Sequence, residues 1–357
     1  MKIAYILPSL VNKGPIIVAQ NLANELCARG HHVDVYYFDE KYGAHFNCPT
    51  KKLDKKRMPD FDTYDIVHSH MYRPDKLLSK IKRSFIHAKA VSTIHAHIEK
   101  DLAYSYNKLV SFIFSLLWIR YLKKMDMVVA ISHFIEKTYI HKFKCISTVY
   151  NGVDVDINTK CAENKIIEKL TQINNLYKII GSYASLSFGK GLHQVINILP
   201  EKKDWAMVII GEGREKANLK KLAAKNNVSD RVLFFPYLIN PYNYLPLFDI
   251  YAMPSYSEGF GLALVEAALA KVPVVCSDIA IFRELFSEEE VAFFTLDDMT
   301  SLSNAIDAAC ANRKRLAENA YKKATSDYTI HAMVDGYLHL YKRILNDNSI
   351  NRNIQLS

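Results

Sequence analysis

The stretch that decides the fold runs from residue 250 to residue 267 and reads IYAMPSYSEGFGLALVEA. An apolar strand pattern leads into a turn that contains Gly259 and Gly261, and an apolar helical pattern follows over 262–271. The two glycines let the backbone adopt positive φ and approach a ligand closely. Because the first turn of a helix carries unpaired N–H groups and the positive end of the helix dipole, this turn predicts an anion site suited to a diphosphate.

Two carboxylates frame the turn. Glu258 precedes it, and Glu266 lies about one and a half turns into the helix, so both side chains are able to face one pocket. Carboxylates accept paired hydrogen bonds from neighbouring hydroxyls, which makes a sugar and a ribose suitable ligands. The alternative is that Glu258 is an acidic first-turn residue and that Glu266 is solvated or a cap.

Strand and helix patterns alternate on both sides of this stretch. In the second half, apolar runs typical of buried parallel strands occur at Lys178–Tyr183, Ala206–Ile210, Val232–Phe235, Ile250–Met253 and Val272–Cys276. In the first half they occur at Ile3–Leu7, His32–Phe38, Asp65–His68, Ala90–Ile94, Met127–Ile131 and Ile146–Tyr150. This alternation predicts an α/β fold with two doubly wound, Rossmann-like domains whose carboxyl strand ends face a cleft.

The length of the chain indicates how many domains it forms. A chain of 357 residues, half of them apolar and 23% charged, suggests two domains with buried cores. We expect an N-terminal domain over 1–160 and a C-terminal domain over 175–329, with a polar connection between them. A helical pattern over 330–345 is expected to pack back on the first domain, and the tail over 346–357 to be flexible.

Cysteine usage and apolar runs bear on the compartment. No apolar run reaches the roughly 18 residues of a membrane-spanning helix, and the apolar N-terminus lacks a signal-peptide cleavage site. The six cysteines include no Cys-x-x-Cys pair. This pattern favours a reduced, cytoplasmic protein.

The positive charge lies entirely in the first half. Residues 1–150 contain 23 Lys and Arg against 13 Asp and Glu, a net charge of +10, whereas the remainder has a net charge of −1. Nucleic acid, an anionic membrane surface or a phosphate-bearing substrate would each complement this charge. The alternative is a solvated basic face without a partner. No nucleic-acid recognition motif or aromatic-basic platform occurs, so we expect no nucleic-acid partner.

The stretch around Glu258 and Glu266 resembles the Glu-x7-Glu motif of the retaining, two-domain (GT-B) glycosyltransferases of family 4. Five further segments resemble motifs of that family in the same order along the chain. They are Asp65-Ile66-Val67-His68-Ser69-His70, Thr93-Ile94-His95, Val128-Val129-Ala130-Ile131-Ser132, Tyr150-Asn151-Gly152-Val153-Asp154 and Gly211-Glu212-Gly213. Most of these motifs are weak singly, but the ordered set is specific and covers nearly the whole chain.

The resemblance implies a donor site in the second domain. Glu266 would hold the ribose of a nucleotide, and Glu258 would contact the hydroxyls of the transferred sugar. Lys190 matches the family lysine on the diphosphate, where an ammonium would offset the charge of the leaving group. Backbone amides would come from the residues of the turn, which are Gly259, Phe260, Gly261 and Leu262.

The resemblance also assigns residues in the first domain. His95 matches a family histidine that faces the reacting sugar; the alternative is an ordinary strand-end histidine. Gly14, in the turn Asn12-Lys13-Gly14-Pro15, matches a glycine-rich loop near the donor phosphate or the acceptor; the alternative is a simple strand–helix turn. The implied catalytic residues are therefore Glu258, His95 and Lys190.

One position departs from the family pattern. The family usually has an arginine on the diphosphate where this chain has Ser185. Either another basic residue replaces it, for which Arg214 is the candidate, or the diphosphate is bound more weakly. The departure also motivates an alternative function, a non-catalytic glycosyltransferase-like partner subunit.

Neither the histidines nor the paired aspartates predict a metal site. The histidines at 68, 70, 87, 95 and 97 lack the compact spacing of a zinc site. Asp60-Phe61-Asp62 and Asp154-Val155-Asp156 resemble the Asp-x-Asp of metal-dependent transferases, which have a different fold. We therefore expect no metal and no cofactor, with a nucleotide-diphosphate sugar as co-substrate.

The segment from Leu102 to Met125 is rich in aliphatic and aromatic residues and is interrupted by basic ones. It is too short and too charged to cross a membrane. One interpretation is a helix in the interface of an anionic bilayer. The other is a long helix buried in the first domain.

The resemblance implies a retaining glycosyltransferase of the hexosyltransferase type. It would move a sugar from a nucleotide-diphosphate sugar to a hydroxyl of a glycan or lipid-linked acceptor, in the synthesis of lipopolysaccharide, capsule or another cell-surface polysaccharide. Its place would be the cytoplasm, with peripheral contact at the inner face of the cytoplasmic membrane. A nucleotide-sugar epimerase or a phosphorylase of the same fold is a further alternative, against which the Glu-x7-Glu motif argues.

Overall fold

A computed structural model describes residues 1–54, 56–105, 107–155 and 163–347. The chain divides into two compact units. Unit 1 joins Met1–Gly152 to the segment from Tyr328 onward, and unit 2 is Val153–Asp327. Part of the predicted connection, residues 156–162 with Asp156, lies outside the described residues, as does the predicted tail from residue 348.

Unit 1 contains a parallel sheet of seven strands in the described residues, in the order β3-β2-β1-β4-β5-β6-β7. The strands are β1 Lys2–Ser9, β2 His32–Asp39, β3 Thr50–Lys52, β4 Ile66–His70, β5 Lys89–Ile94, β6 Met127–Ala130 and β7 Ile146–Thr148. The helices are α1 Gly14–Ala28, α2 Tyr72–Ile81, α3 Ile98–Ser105, α4 Lys108–Leu122, α5 His133–Tyr139 and, at the end of the chain, α13 Ile330–Asn346. The strand order reverses at β1, which places a topological switch point between β1 and β4.

Unit 2 contains a parallel sheet of six strands in the described residues, in the order β10-β9-β8-β11-β12-β13. The strands are β8 Lys178–Tyr183, β9 Trp205–Ile210, β10 Val232–Phe235, β11 Ile250–Met253, β12 Val274–Ser277 and β13 Ala292–Phe294. The helices are α6 Asn164–Asn174, α7 Leu192–Ile198, α8 Lys216–Lys225, α9 Leu262–Leu269, α10 Ala280–Leu285, α11 Met299–Ala311 and α12 Arg313–Asp327. The switch point lies between β8 and β11. The prediction of doubly wound α/β domains is confirmed.

Strands β3 and β13 were not predicted, because both lie at sheet edges. All three residues of β3 are exposed, and β13 is only three residues long with a partly exposed start. An edge strand is paired on one side and needs no continuous apolar run. The apolar pattern that predicts buried strands is therefore absent from both.

The interpretation of 102–125 as one long buried helix is wrong. Two helices, α3 and α4, meet near Asn107, whose side chain caps α4 by accepting a hydrogen bond from the N–H of Val110 at 2.9 Å. Much of the apolar surface of α4 is exposed. No helix in the described part of the chain is long and apolar enough to cross a membrane.

A buried hydrogen-bonded chain ties α13 to the sheet of unit 1. The hydroxyl of Tyr341 lies 3.1 Å from that of Tyr5 and 2.7 Å from Nδ1 of His68. Nε2 of His68 lies 2.8 Å from Oγ1 of Thr93, which lies 2.9 Å from the hydroxyl of Tyr337. Since a buried polar group costs free energy unless it is paired, these contacts fix the position of α13 on β1, β4 and β5.

The Asn-Gly turn that follows β7 packs against the start of α13. A Cβ on Gly152 would lie 2.3 Å from the carbonyl oxygen of Thr329, so only glycine allows this approach. The N–H of Gly152 also lies 3.1 Å from the sulfur of Met333. The glycine of this motif thus has a structural role within unit 1.

Asp75, at the first turn of α2, is fully buried. Its carboxylate accepts hydrogen bonds from the hydroxyls of Ser69 at 2.6 Å and Ser92 at 2.7 Å, and from the indole N–H of Trp118 at 2.6 Å. The group therefore joins α2, β4, β5 and α4. Burial raises its pKa to about 6, although the three donors oppose the rise.

We expect Asp75 to make the stability of unit 1 depend on pH. The unfolded carboxyl loses its proton near its ordinary pKa of 3.8 and the folded one near 6, so the folded state binds more protons between these values and its stability falls as pH rises through them. Relative to Asp75→Asn, the wild type should lose up to about 3 kcal/mol between pH 4 and pH 7. Urea unfolding of both proteins across this range measures the difference, and a constant difference would contradict the assignment.

Candidate functional site

Two loops meet at the switch point of the unit 2 sheet. Residues 184–191 follow β8, and residues 254–261 follow β11, the adjacent strand. Gly191 has φ +64°, and a Cβ there would lie 1.9 Å from the carbonyl oxygen of Pro254. The N–H of Tyr256 donates to the carbonyl of Gly189 at 2.9 Å. The two loops are therefore held together backbone against backbone.

This contact brings Lys190 and Glu258 together. Nζ of Lys190 lies 2.6 Å from Oε1 of Glu258, and the hydroxyl of Ser255 donates to the same oxygen at 2.8 Å. Both charged side chains are largely buried, with 26% and 12% exposure. An ammonium has three donors, so Lys190 is able to bind an anion while it remains close to Glu258.

Glu266 lies on α9 and is held by Tyr183, the last residue of β8. The phenol donates to Oε2 of the carboxylate at 2.5 Å, which leaves Oε1 as an acceptor for a ligand. Burial raises the pKa of Glu266, whereas the hydrogen bond from Tyr183 lowers it. Burial is also the main reason why the pKa of Tyr183 lies well above its ordinary value, so the phenol remains a donor.

The turn between Glu258 and α9 leads directly into the N-terminus of the helix. Gly261 stands at the N-cap with φ +98° and gives no side-chain cap, and Leu262 is the first helical residue. The side chain of Phe260 is buried, so only its backbone is able to reach a ligand. The predicted residues 259–262 thus present backbone next to Glu258, at the positive end of the α9 dipole.

Ser185 and Arg214 lie on loops that pack against each other. The N–H of Leu186 donates to the carbonyl of Glu212 at 2.9 Å, and the N–H of Glu215 donates to the carbonyl of Leu186 at 3.0 Å. Arg214, which is exposed, lies between these two contacts. The backbone of Arg214 therefore lies next to the segment in which Ser185 replaces the family arginine.

Three parallel rings next to Lys190 and Glu258 were not predicted. The ring of Phe188 lies 5.0 Å from that of His193 and 5.4 Å from that of Tyr256, with interplanar angles of 16° and 11°. The hydroxyl of Tyr256 also donates a hydrogen bond to Asp297 and lies 3.2 Å from Nε2 of His193. Tyr183 and Ser255 were missed as well, since nothing in their local sequence indicates that they contact a glutamate.

His95 comes directly after β5, and Gly14 follows β1 after residues 10–13. Nε2 of His95 lies 2.8 Å from Nδ1 of His70, and the two rings stack at 5.0 Å. The ring of His68 also stacks on that of His70, at 4.4 Å. Burial holds the pKa of His95 at about 3, so this imidazole is neutral and is able to offer a hydrogen bond but no charge. Gly14 is the first residue of α1.

The paired aspartates of unit 1 have structural partners. Oδ1 of Asp62 accepts hydrogen bonds from the N–H groups of Ile86, His87 and Ala88 at 2.8–2.9 Å, and Asp60 accepts one from the N–H of Asp62 at 3.1 Å. These bonds shape a turn. Within the described residues, no group of three or more His, Cys, Asp or Glu side chains is arranged to hold a metal ion.

Comparisons with known proteins agree along the whole chain. The family model "Glycosyltransferase Family 4" matches residues 14–157, and "Glycosyl transferases group 1" matches residues 163–325. The chain is 31% identical to the O-antigen biosynthesis glycosyltransferase WclY of Escherichia coli, over 97% of this chain and 99% of the relative. It is 25% identical to the lipopolysaccharide core biosynthesis mannosyltransferase LpsB of Rhizobium meliloti, over 64% of this chain and 69% of the relative.

A solved structure shares the fold. Anabaena HepE in complex with UDP superimposes with a TM-score of 0.78 at 19% identity, covering 96% of this chain and 100% of that one. At this identity the likeness concerns the fold alone.

We expect His68, His70 and His95 to stay neutral between pH 5 and pH 8. Burial holds the pKa of His68 and His95 at about 3 and places that of His70 well below its ordinary value. In NMR spectra of protein with ¹³C-labelled histidine, their ring signals should not move over this range, whereas the same signals in urea should titrate near about 6.5. A His95 signal with a midpoint inside the range would show that its ring is hydrated.

Proposed function

The chain belongs to the family 4 glycosyltransferases, which have the GT-B fold, and we propose its reaction from this membership. In this proposal the protein moves a sugar from a nucleotide-diphosphate sugar to a hydroxyl of a glycan acceptor, with retention of configuration. The observation that carries the proposal is the grouping of Lys190, Glu258 and Glu266 at the switch point of unit 2. Such switch points are where open α/β sheets bind ligands.

The donor occupies unit 2 in this proposal. Glu266 accepts hydrogen bonds from the ribose hydroxyls through Oε1, while Tyr183 holds Oε2. Lys190 and the backbone of residues 259–262 bind the diphosphate. Arg214 supplies the second positive charge that Ser185 does not provide. HepE, which was solved with UDP, supports a nucleotide as ligand.

The reaction breaks the bond between the anomeric carbon and a phosphate oxygen and forms a bond from that carbon to the acceptor oxygen. The acceptor proton passes to the leaving diphosphate on the same face of the sugar. Lys190 offsets the negative charge that develops on the diphosphate. A buried ammonium does this more strongly than an ammonium in water. Glu258, fixed by Ser255, accepts hydrogen bonds from the sugar hydroxyls.

Unit 1 binds the acceptor in this proposal. His95 offers the acceptor a neutral hydrogen-bonding group, and Gly14 brings backbone close to the acceptor. The charge on the diphosphate is met by protein groups, so the proposal needs no metal and no cofactor.

The acceptor is a glycan of a cell-surface polysaccharide. The support is the similarity to WclY and LpsB, which are named for O-antigen and lipopolysaccharide core biosynthesis. We place the reaction at the inner face of the cytoplasmic membrane, with the glycan in a lipid-linked form. The net charge of +10 on residues 1–150 complements an anionic membrane.

The proposal is tested by the thermal unfolding of the purified protein with UDP, GDP, ADP and CMP. A nucleotide at 100 times its Kd should stabilise the protein by about 2.7 kcal/mol, which raises the midpoint measurably. Glu266→Ala should lose this shift. Glu201→Ala, which removes an exposed glutamate of unit 2, should keep it.

If no nucleotide shifts the midpoint, the donor assignment fails and the non-catalytic alternative motivated by Ser185 is favoured. If a nucleotide binds, release of the nucleoside diphosphate from its sugar esters, with and without glycan acceptors, identifies the donor. A shift of equal size in Glu266→Ala would show that the ribose does not depend on this residue for binding.

We expect Tyr183→Phe to weaken ribose recognition. Losing the phenol frees the Glu266 carboxylate to rotate and raises its pKa further, so the affinity for the preferred nucleotide should fall about 3- to 10-fold, the size of effect of one ordinary hydrogen bond. The fall should be larger at pH 6 than at pH 8, because the carboxylate must be ionised to accept hydrogen bonds. Isothermal titration calorimetry measures both values.

The matched control is Tyr321→Phe, which removes a phenol from α12. The 2′,3′-dideoxy form of the nucleotide shows whether Tyr183 positions Glu266 for the ribose hydroxyls or only contributes packing. If Tyr183 acts through Glu266, its variant should lose most of the preference for ribose over dideoxyribose. An unchanged preference would reduce Tyr183 to a packing residue.

A further inference from the structure

The faces of α4 are reversed relative to those of an ordinary surface helix. Its buried residues include two serines, Ser111 and Ser115, with Ile119 and Leu122. Its exposed residues are large and apolar, with exposures of 70% for Leu109, 61% for Phe112, 46% for Ile113, 38% for Phe114, 53% for Leu116 and 38% for Leu117. We call these six residues the apolar face of α4. A soluble helix usually turns such residues toward the core.

Hydrogen bonds hold α4 in this orientation. The hydroxyl of Ser111 donates to the carbonyl of Leu102, in α3, at 2.9 Å. Trp118 donates to the buried carboxylate of Asp75. Rotating the helix to bury its apolar face would break these bonds and expose the partner groups, so the outward orientation is fixed by the fold.

The apolar face forms one continuous surface. Leu109, Ile113 and Leu116 follow one another at helical spacings of four and three residues, with the other members on either side of this line. The nine helical residues from 109 to 117 give the surface a length of about 13 Å. Contiguous exposed apolar surfaces of this kind mark sites that contact a partner or a membrane.

Basic residues border both ends of the apolar face. Lys108 begins α4, and Arg120 and Lys123 lie at its other end, all three exposed. The sequence has no acidic residue between Asp101 and Asp126. A second copy of this surface would bring like charges together, whereas an anionic surface would complement them.

We propose that the apolar face of α4 lies in the interface of an anionic lipid bilayer, with its side chains among the acyl chains and the basic residues on the headgroups. An interfacial helix combines an apolar face with basic flanks in this way. Long basic side chains reach the headgroups while their stems stay among apolar atoms. This proposal rests on the membrane location given under the proposed function and names the surface of the protein that contacts the membrane. Its test does not depend on sugar transfer.

The test is cosedimentation of the full chain with vesicles of phosphatidylethanolamine and phosphatidylglycerol, and with vesicles of phosphatidylcholine alone. The wild type should bind the anionic vesicles, more weakly at high salt, and bind the neutral ones poorly. The variant Leu109→Glu/Ile113→Glu/Leu116→Glu should bind at least about 10-fold more weakly, because three apolar side chains no longer enter the acyl region.

A control variant with the same change in charge is Ile86→Glu/Leu176→Glu/Ile239→Glu, which replaces exposed apolar residues outside α4. It should lose far less binding than the α4 variant. Lys108→Gln/Arg120→Gln/Lys123→Gln should weaken binding to anionic vesicles and reduce its dependence on salt.

Equal loss in the control and α4 variants would overturn the proposal, as would a wild type that does not bind anionic vesicles. A dimer that dissociates in the α4 variant, without vesicle binding, would assign the face to a second copy of the chain. The α4 variant should keep the far-UV circular dichroism and the cooperative thermal unfolding of the wild type. If cooperative unfolding is lost, the variant is misfolded, and the single variants Leu109→Gln and Leu116→Gln decide, each with an expected fall of about threefold.

Discussion

The backbone contact between Gly191 and Pro254 sets the geometry of the candidate site. With any other residue at 191, a Cβ 1.9 Å from the carbonyl oxygen of Pro254 would force the two loops apart. Lys190 lies in one loop and Glu258 in the other, so their 2.6 Å contact requires this approach. The same sheet edge carries Tyr183 at the end of β8 and Glu266 on α9. The polar groups of the site are therefore positioned by neighbouring parallel strands, not by flexible segments.

Sequence reasoning reached the elements and the candidate residues but not their pairings. The strand, turn and helix around Glu258 were predictable because apolar periodicity and glycine act locally. The partners Tyr183 and Glu266 are 83 residues apart, and Lys190 and Glu258 are 68 apart, so only tertiary structure brings them into contact. The exposure of α4 was equally hidden, because an apolar run in a sequence is the same whether it faces a core or a surface.

Unit 1 is organised around buried polar groups as well as an apolar core. His68 and Thr93 connect α13 to the sheet, and Asp75 connects α2 and α4 to it. Each buried donor or acceptor accepts only partners in the right place, so these groups specify positions that apolar packing alone would leave loose. The orientation of α4 follows in part from this, since its Trp118 donates to the buried carboxylate of Asp75.

The placement of α13 in unit 1 has a consequence for synthesis on the ribosome. The strands β1–β7 emerge first, but Tyr337 and Tyr341 emerge only after all of Val153–Asp327 has been made. At about 5–20 residues per second, this interval lasts roughly 10–40 s. During it the nascent first unit lacks the partners of His68 and Tyr5, whereas unit 2 is continuous and is able to fold as soon as it leaves the tunnel. The order of completion is thus the reverse of the order in which the two units begin.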